Sequence, residues 1–67
     1  MQIEIEFNTN NAAFDDIPVE AIGYVLNKAA LYIDRIRRSG ATEGVDRFNL
    51  SDHNGNVVGR LTVIHNQ

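Results

Sequence analysis

The chain has 67 residues, no cysteine and a formal net charge of −3, which leaves room for one small domain and none for a disulfide framework or a thiolate metal site. A domain this small buries only roughly 60% of the surface its unfolded chain exposes, so a partner has much to add to its stability. The charge gives no general attraction to nucleic acid or anionic membrane, and no apolar run approaches the ~18 residues of a membrane span.

Gln2-Ile3-Glu4-Ile5-Glu6-Phe7 alternates strictly, with Ile3, Ile5 and Phe7 on one face and Gln2, Glu4 and Glu6 on the other. That pattern predicts a half-buried first strand with a wet outer face. Asn8-Thr9-Asn10-Asn11 breaks it, because these side chains compete for local backbone hydrogen bonds. Phe14 then returns one large apolar group to the core as a plug beneath a helix start.

Asp15-Asp16-Ile17-Pro18 reads as that start, with Asp16 as N-cap and proline in the first turn. The helix is predicted over 18–39, with Gly40 just past its end and Arg35, Arg37 and Arg38 near its negative pole. At ~100° per residue, Val19, Ile22, Leu26, Ala29, Ala30, Ile33 and Ile36 form the stripe expected to face the sheet. Gly23 lies at its edge, where it would permit a close backbone approach. Ala21, Val25 and Tyr32 widen the stripe along one flank. Tyr24 and Leu31 share a line on the opposite face, beside Lys28 and Arg35.

Residues 39–44 connect to a second strand expected over 45–52, with Phe48 and Leu50 inward. A third is expected over 56–65. Its alternation sets Val57, Leu61 and Val63 against Val58, Arg60, Thr62 and Ile64, and apolar residues on both faces suit a central strand. Asn54-Gly55 between the two predicts a two-residue type I′ turn with positive φ at both positions. The order is therefore β-α-β-β, an α+β fold. Either strand three lies between the others in the order 1-3-2, or strands one and two lie side by side in parallel through a right-handed crossover. The first buries the most apolar strand and lets Glu4 or Glu6 face Arg60, so an antiparallel sheet with the helix on one face is preferred.

Thr9-Asn10-Asn11-Ala12-Ala13-Phe14-Asp15-Asp16, the amphipathic helix and Leu50-Ser51-Asp52-His53-Asn54-Gly55-Asn56-Val57-Val58-Gly59 resemble a group of short phage and prophage proteins. Those begin with a strand and a "TDNAAF"-like stretch and end in an "LRDxNGNxVG"-like hairpin. Here Asn10 stands where an Asp is usual, and Ser51 replaces an Arg. The resemblance carries no catalytic residue. It implies a small accessory role in the cytoplasm of a bacterial host, and the strand-like segment after Met1, unlike a signal peptide, fits that location.

Candidate chemistry is sparse. Capping and turn formation account for Asp15, Asp16 and Asp52 without a catalytic pair, which would need a cleft and a raised pKa. His53 and His65 lie far apart along the predicted ladder, and a metal needs three or four converging ligands. Asn54-Gly55-Asn56 has neither the lysine nor the following helix of a phosphate loop. A one-helix sheet also offers little room for a pocket of ~300 Å³ or more. No enzyme, metal or cofactor is expected.

Two surfaces remain. Lys28, Arg35, Arg37, Arg38 and Arg47 are a candidate anion or nucleic-acid patch, although Tyr24 and Tyr32 point roughly 80° apart and form no shared stacking platform. Glu20, Tyr24, Leu31 and Arg35 are a candidate protein-interaction surface, with apolar anchors ringed by charge. In a two-fold homodimer, antiparallel helices would set Tyr24 against the partner's Leu31 and Glu20 against the partner's Arg35. The sequence thus favours a phage-type accessory protein acting by protein–protein interaction, with inhibition of a host defence protein as its concrete form. A nucleic-acid-binding factor and a structural component of a virion are the rivals.

Overall fold

A computed structural model describes residues 1–65 as β1 (Gln2–Phe7), a 3-10 turn (Ala12–Phe14), α1 (Pro18–Ser39), β2 (Val45–Ser51) and β3 (Val57–Ile64). β3 lies between β1 and β2 and is antiparallel to both, so the sheet order is 1-3-2 and the parallel crossover is not used. β2 ends one residue earlier than expected, and β3 is one residue shorter at each end. Register places Ile5, Leu61 and Phe48 abreast, with Ile3, Val63 and Asp46 in the row on one side and Phe7, Gly59 and Leu50 in the row on the other. This is the face that α1 covers. Leu50, Leu61 and Val63 are buried there with Val25, Ala29 and Ile36 of the helix.

The helix is rolled relative to its expected seat. Ala21, Val25, Ala29 and Ile36 are buried, with Tyr32 packed beside them, whereas Val19 and Leu26 stand 77% and 46% exposed. At about 100° per residue this is a rotation of roughly 80° from the predicted stripe. Its cause is an aromatic pair. Tyr32 stacks on Phe48 with ring centroids 4.6 Å apart and planes 8° from parallel, which fixes the roll of α1 toward β2. Ala21, Val25 and Ala29 are the small side chains that allow the close seat. Gly23 points away, and a Cβ built there meets nothing within 4 Å, so its expected close approach to the sheet does not occur.

The helix start also differs. Ile17, not Asp16, occupies the N-cap position, and its side chain makes no cap hydrogen bond. Pro18 forces the residue before it out of helical geometry, so Ile17 takes the cap and Asp16 is left exposed outside the helix. The helix ends as expected, at Gly40 with φ 75°.

At the hairpin the turn is shifted by one residue. Gly55 N–H donates to the Asp52 carbonyl at 3.0 Å, and Asp52 N–H donates to the Asn56 carbonyl at 2.9 Å. The turn therefore centres on His53-Asn54, and Gly55 follows it with φ 87°, which makes a three-residue loop instead of a two-residue type I′ turn. Ser51 pairs with Val57 while Leu50 pairs with Gly59, so Val58 is the extra residue of a bulge. A one-residue insertion reverses alternation beyond it. Val58 is buried and Val57 exposed, the opposite of the predicted assignment.

The Asp52 carboxylate draws these segments together. One oxygen accepts from the backbone N–H groups of Asn54 at 2.8 Å and Asn56 at 3.0 Å, and the other accepts from the Asn11 side-chain amide at 2.7 Å. Asn11 in turn accepts from Ala13 N–H at 2.9 Å, which caps the 3-10 turn that seats Phe14 in the core. Burial alone would raise the Asp52 pKa, but hydrogen bonds from Asn56, Asn11 and Asn54 outweigh it and hold the carboxyl below the usual carboxylate value.

The folded carboxyl is thus the stronger acid, and its stabilisation is present above about pH 4 and lost as pH falls through the folded pKa. Asp52→Asn lowers the melting temperature at neutral pH, whereas Asp16→Asn leaves it unchanged. The gap between the protein and its Asp52→Asn variant narrows as pH falls through the folded pKa of Asp52; a constant gap would place the stabilisation elsewhere. Two glycines give opposite signs. A Cβ on Gly59 would overlap the Glu6 carbonyl oxygen and Phe7 Cα, so Gly59→Ala costs about 1–3 kcal/mol in denaturant unfolding. Gly23→Ala, in open space on a helix, stabilises by about 0.5–1 kcal/mol in the same assay.

Candidate interaction surfaces

The roll of α1 turns one flank toward the hairpin. Tyr24 meets His53 edge-on, with centroids 6.2 Å apart and planes at 82°, so it does not lie on the far side as the helical projection suggested. Lys28 Nζ stands 5.8 Å from the Tyr24 ring centroid, and the Arg35 guanidinium 5.6 Å from that of Tyr32. Tyr24, Lys28 and Tyr32 line one depression of about 430 Å³ with His53 and Asn54. The two tyrosines therefore share a surface even though they diverge around the helix axis, because the hairpin loop rises beside both. Another depression, of about 480 Å³, lies on the uncovered face of the sheet among Glu4, Glu6, Asn49, Arg60 and Thr62. Both exceed the room expected of a one-helix sheet.

The basic residues gather only in part. Arg38 pairs with Asp34 one turn away at 3.0 Å, with both side chains exposed. Arg37 follows Arg35 by two positions, which sets it about 160° away around the helix. Arg47 pairs with Thr62 in the sheet, on the face turned away from α1. Of the five, Lys28 and Arg35 share a flank, and Arg38, three positions on, lies about 60° further round, where Asp34 holds it. Of the four residues proposed for protein interaction, Tyr24 and Arg35 are drawn into this flank, while Glu20 and Leu31 stand exposed beyond it. Among the described residues, Glu6 sits directly opposite Arg60 across the strands but forms no ion pair with it, and Glu4 faces Thr62.

His53 is exposed at the hairpin tip. His65 is buried at the other end of the sheet, where Nε2 lies 2.9 Å from Asp46 Oδ2 and its backbone N–H donates to Gly44. Among the described residues, no three His, Asp or Glu side chains converge to hold a metal ion.

A third surface was hidden in the sequence because periodicity assigned its residues to the core. Since the Tyr24 flank of α1 faces β2 and the hairpin, the opposite flank, with Ile22, Leu26 and Ile33, overhangs the β1 side. Ile3 and Ile5 of β1 are 43% and 40% exposed and Leu26 of α1 is 46% exposed, so apolar side chains of both elements stand half in water. The width of the sheet relative to one helix is the signal that could have found it.

The chain matches no protein-family model, no curated protein and no solved structure. No described helix is long and apolar enough to cross a membrane.

The Tyr24–His53 contact has a direct signature. Ring currents from Tyr24 shift the His53 ring protons, and Tyr24→Leu returns them to ordinary positions in the proton NMR spectrum. Unchanged His53 signals would mean that the two rings do not meet in solution.

Proposed function

We propose that the protein is a non-catalytic binding module that acts by covering a surface of another protein. The observation that carries this reading is the exposure of Ile3, Ile5 and Leu26, apolar side chains that one helix and a three-stranded sheet leave half in water. Leaving such area in water forgoes roughly 25 cal/mol per Å², which a partner recovers. The resemblance to short phage proteins supports an accessory role inside a bacterial host, with a host defence protein as the target class. A homodimer through Tyr24 and Leu31 is a weaker form of the same reading, because Tyr24 already has an intramolecular neighbour in His53.

One observation favours nucleic acid as a second reading: Lys28 and Arg35 lie over tyrosine rings on one flank. Capture from phage-infected bacterial lysate separates the two. The protein-binding reading requires a captured protein that is retained in high salt and lost with Leu26→Glu, while circular dichroism shows the fold intact. Capture of nucleic acid that falls steeply with salt and with a Lys28→Ala/Arg35→Ala double replacement supports the second reading instead. Sedimentation of the purified protein identifies a second copy as the partner, and Leu31→Glu dissociates it if the helix face is the contact.

A further inference from the structure

We infer that the free edge of β1 is a strand-addition site for an extended segment of a partner protein in which basic and apolar residues alternate. β1 is bonded to β3 on one side only. Asn8 N–H donates to the Val58 carbonyl at 3.0 Å, and antiparallel alternation then turns the backbone groups of Glu6 and Glu4 toward β3. The N–H and C=O groups of Ile3, Ile5 and Phe7 consequently point to the open edge. An edge of this kind is a ready template for another strand.

The flanking side chains specify which strand. On the open face of the sheet Glu4 and Glu6 are exposed, and neither forms an ion pair among the described residues. On the helix face Ile3 and Ile5 stand half-covered. An incoming strand that sets Lys or Arg opposite Glu4 and Glu6 thereby sets its alternate residues opposite Ile3, Ile5 and Phe7, where apolar side chains extend the core. β2, the other edge, differs: its inward Leu50 is buried and its Phe48 lies under Tyr32.

A second copy of β1 is opposed in the registers that pair most of the strand. Antiparallel two-fold registers centred on Glu4 or on Ile5 set Glu4 against Glu4 or Glu4 against Glu6, and like charges directly opposite are destabilising. A foreign, basic segment meets no such repulsion and is the occupant inferred; the shorter self-pairing register centred on Ile3, which sets Gln2 against Glu4, is the alternative that sedimentation tests. This inference rests on the binding-module reading and gives it a partner class.

The test uses the intact protein and two end-blocked synthetic hexapeptides, one alternating lysine and valine, the other glutamate and valine. The lysine peptide is expected to bind and to slow amide hydrogen exchange at Ile3, Ile5 and Phe7. The glutamate peptide is expected to bind roughly tenfold more weakly or worse, and the Glu4→Lys/Glu6→Lys variant to reverse that preference. Both replaced residues are exposed. Because Glu6→Lys sets a lysine opposite Arg60, circular dichroism checks the fold. The neutral Glu4→Gln/Glu6→Gln variant, expected to abolish the preference, serves where the charge-reversed one does not fold. Failure of the lysine peptide to bind, equal binding of the two peptides, or binding that leaves those amides unprotected overturns strand addition. So does sedimentation of the protein as a dimer joined through β1. Leu26-dependent capture of a protein that survives such a failure leaves the binding module standing and removes only this mode; loss of both removes the module as well.

Discussion

The carboxylate of Asp52, 1% exposed, lies where the loop after β1 meets the hairpin turn, and the surrounding geometry follows from satisfying it. A buried charge is tolerable only when its lone pairs are met by donors. Two of those donors are backbone N–H groups of the turn, which pull Asn54 and Asn56 around one oxygen and so prefer a three-residue loop over the tighter turn that Asn-Gly would otherwise form. The third is Asn11, forty-one positions away in sequence, whose own oxygen caps the 3-10 turn carrying Phe14. The path of the chain out of β1 and the tip of the β2–β3 hairpin are thus one hydrogen-bonded unit. α1 starts from its end, and no described buried side-chain nitrogen or oxygen lacks a partner.

Above that clasp, the architecture is limited by widths. Strands sit about 4.8 Å apart and a helix with its side chains is about 10 Å across, so a single helix covers two strands well and a third poorly. The Tyr32–Phe48 stack decides which two. It seats α1 over β2 and the neighbouring side of β3, where Leu50, Leu61 and Val63 are sealed, and leaves Ile3 and Ile5 of β1 half in water. That exposure follows from covering a three-stranded sheet with one helix.

This also explains what the sequence could and could not disclose. Period-two alternation in β1, the long amphipathic run and the glycine after it are local signals, and they located β1 and α1 to the residue along with the 1-3-2 order. The roll of α1 is not local. Apolar residues span more than one face, and Val19-Ile22-Leu26 competes with Ala21-Val25-Ala29 until an aromatic partner on another element selects one of them. The Val57/Val58 inversion is hidden for a similar reason, since a bulge is a property of two paired strands and leaves no mark in the alternation of one. Tyr24 was legible as exposed but not as a neighbour of His53, because that contact depends on the roll and the turn together. The five cations are only partly brought together: Lys28, Arg35 and Arg38 fall on neighbouring lines of α1, while Arg37 lies on another side of the helix and Arg47 on the sheet.

The two motif-bearing segments, residues 9–16 and 50–59, are the ones that meet at the clasp. Asn11, Ala13 and Phe14 come from the first, and Asp52, Asn54, Gly55 and Asn56 from the second, and each is occupied by capping, turn formation or core packing. Those motifs therefore report how the fold is held. The groups exposed to meet another molecule, the edge amides of β1, Glu6, Leu26 and Glu4, whose carboxylate also accepts from the exposed Gln2 amide at 3.0 Å, lie outside them. An architecture fixed at one end of the sheet can keep the same clasp while the edge and the exposed helix flank vary. The same two glutamates have two consequences there: they oppose pairing of β1 with its own copy, and they favour a basic strand over an acidic one. Solubility and selectivity at that edge thus arise from one pair of side chains, because like-charge repulsion against the wrong strand and attraction to the right one are the same field seen by different neighbours.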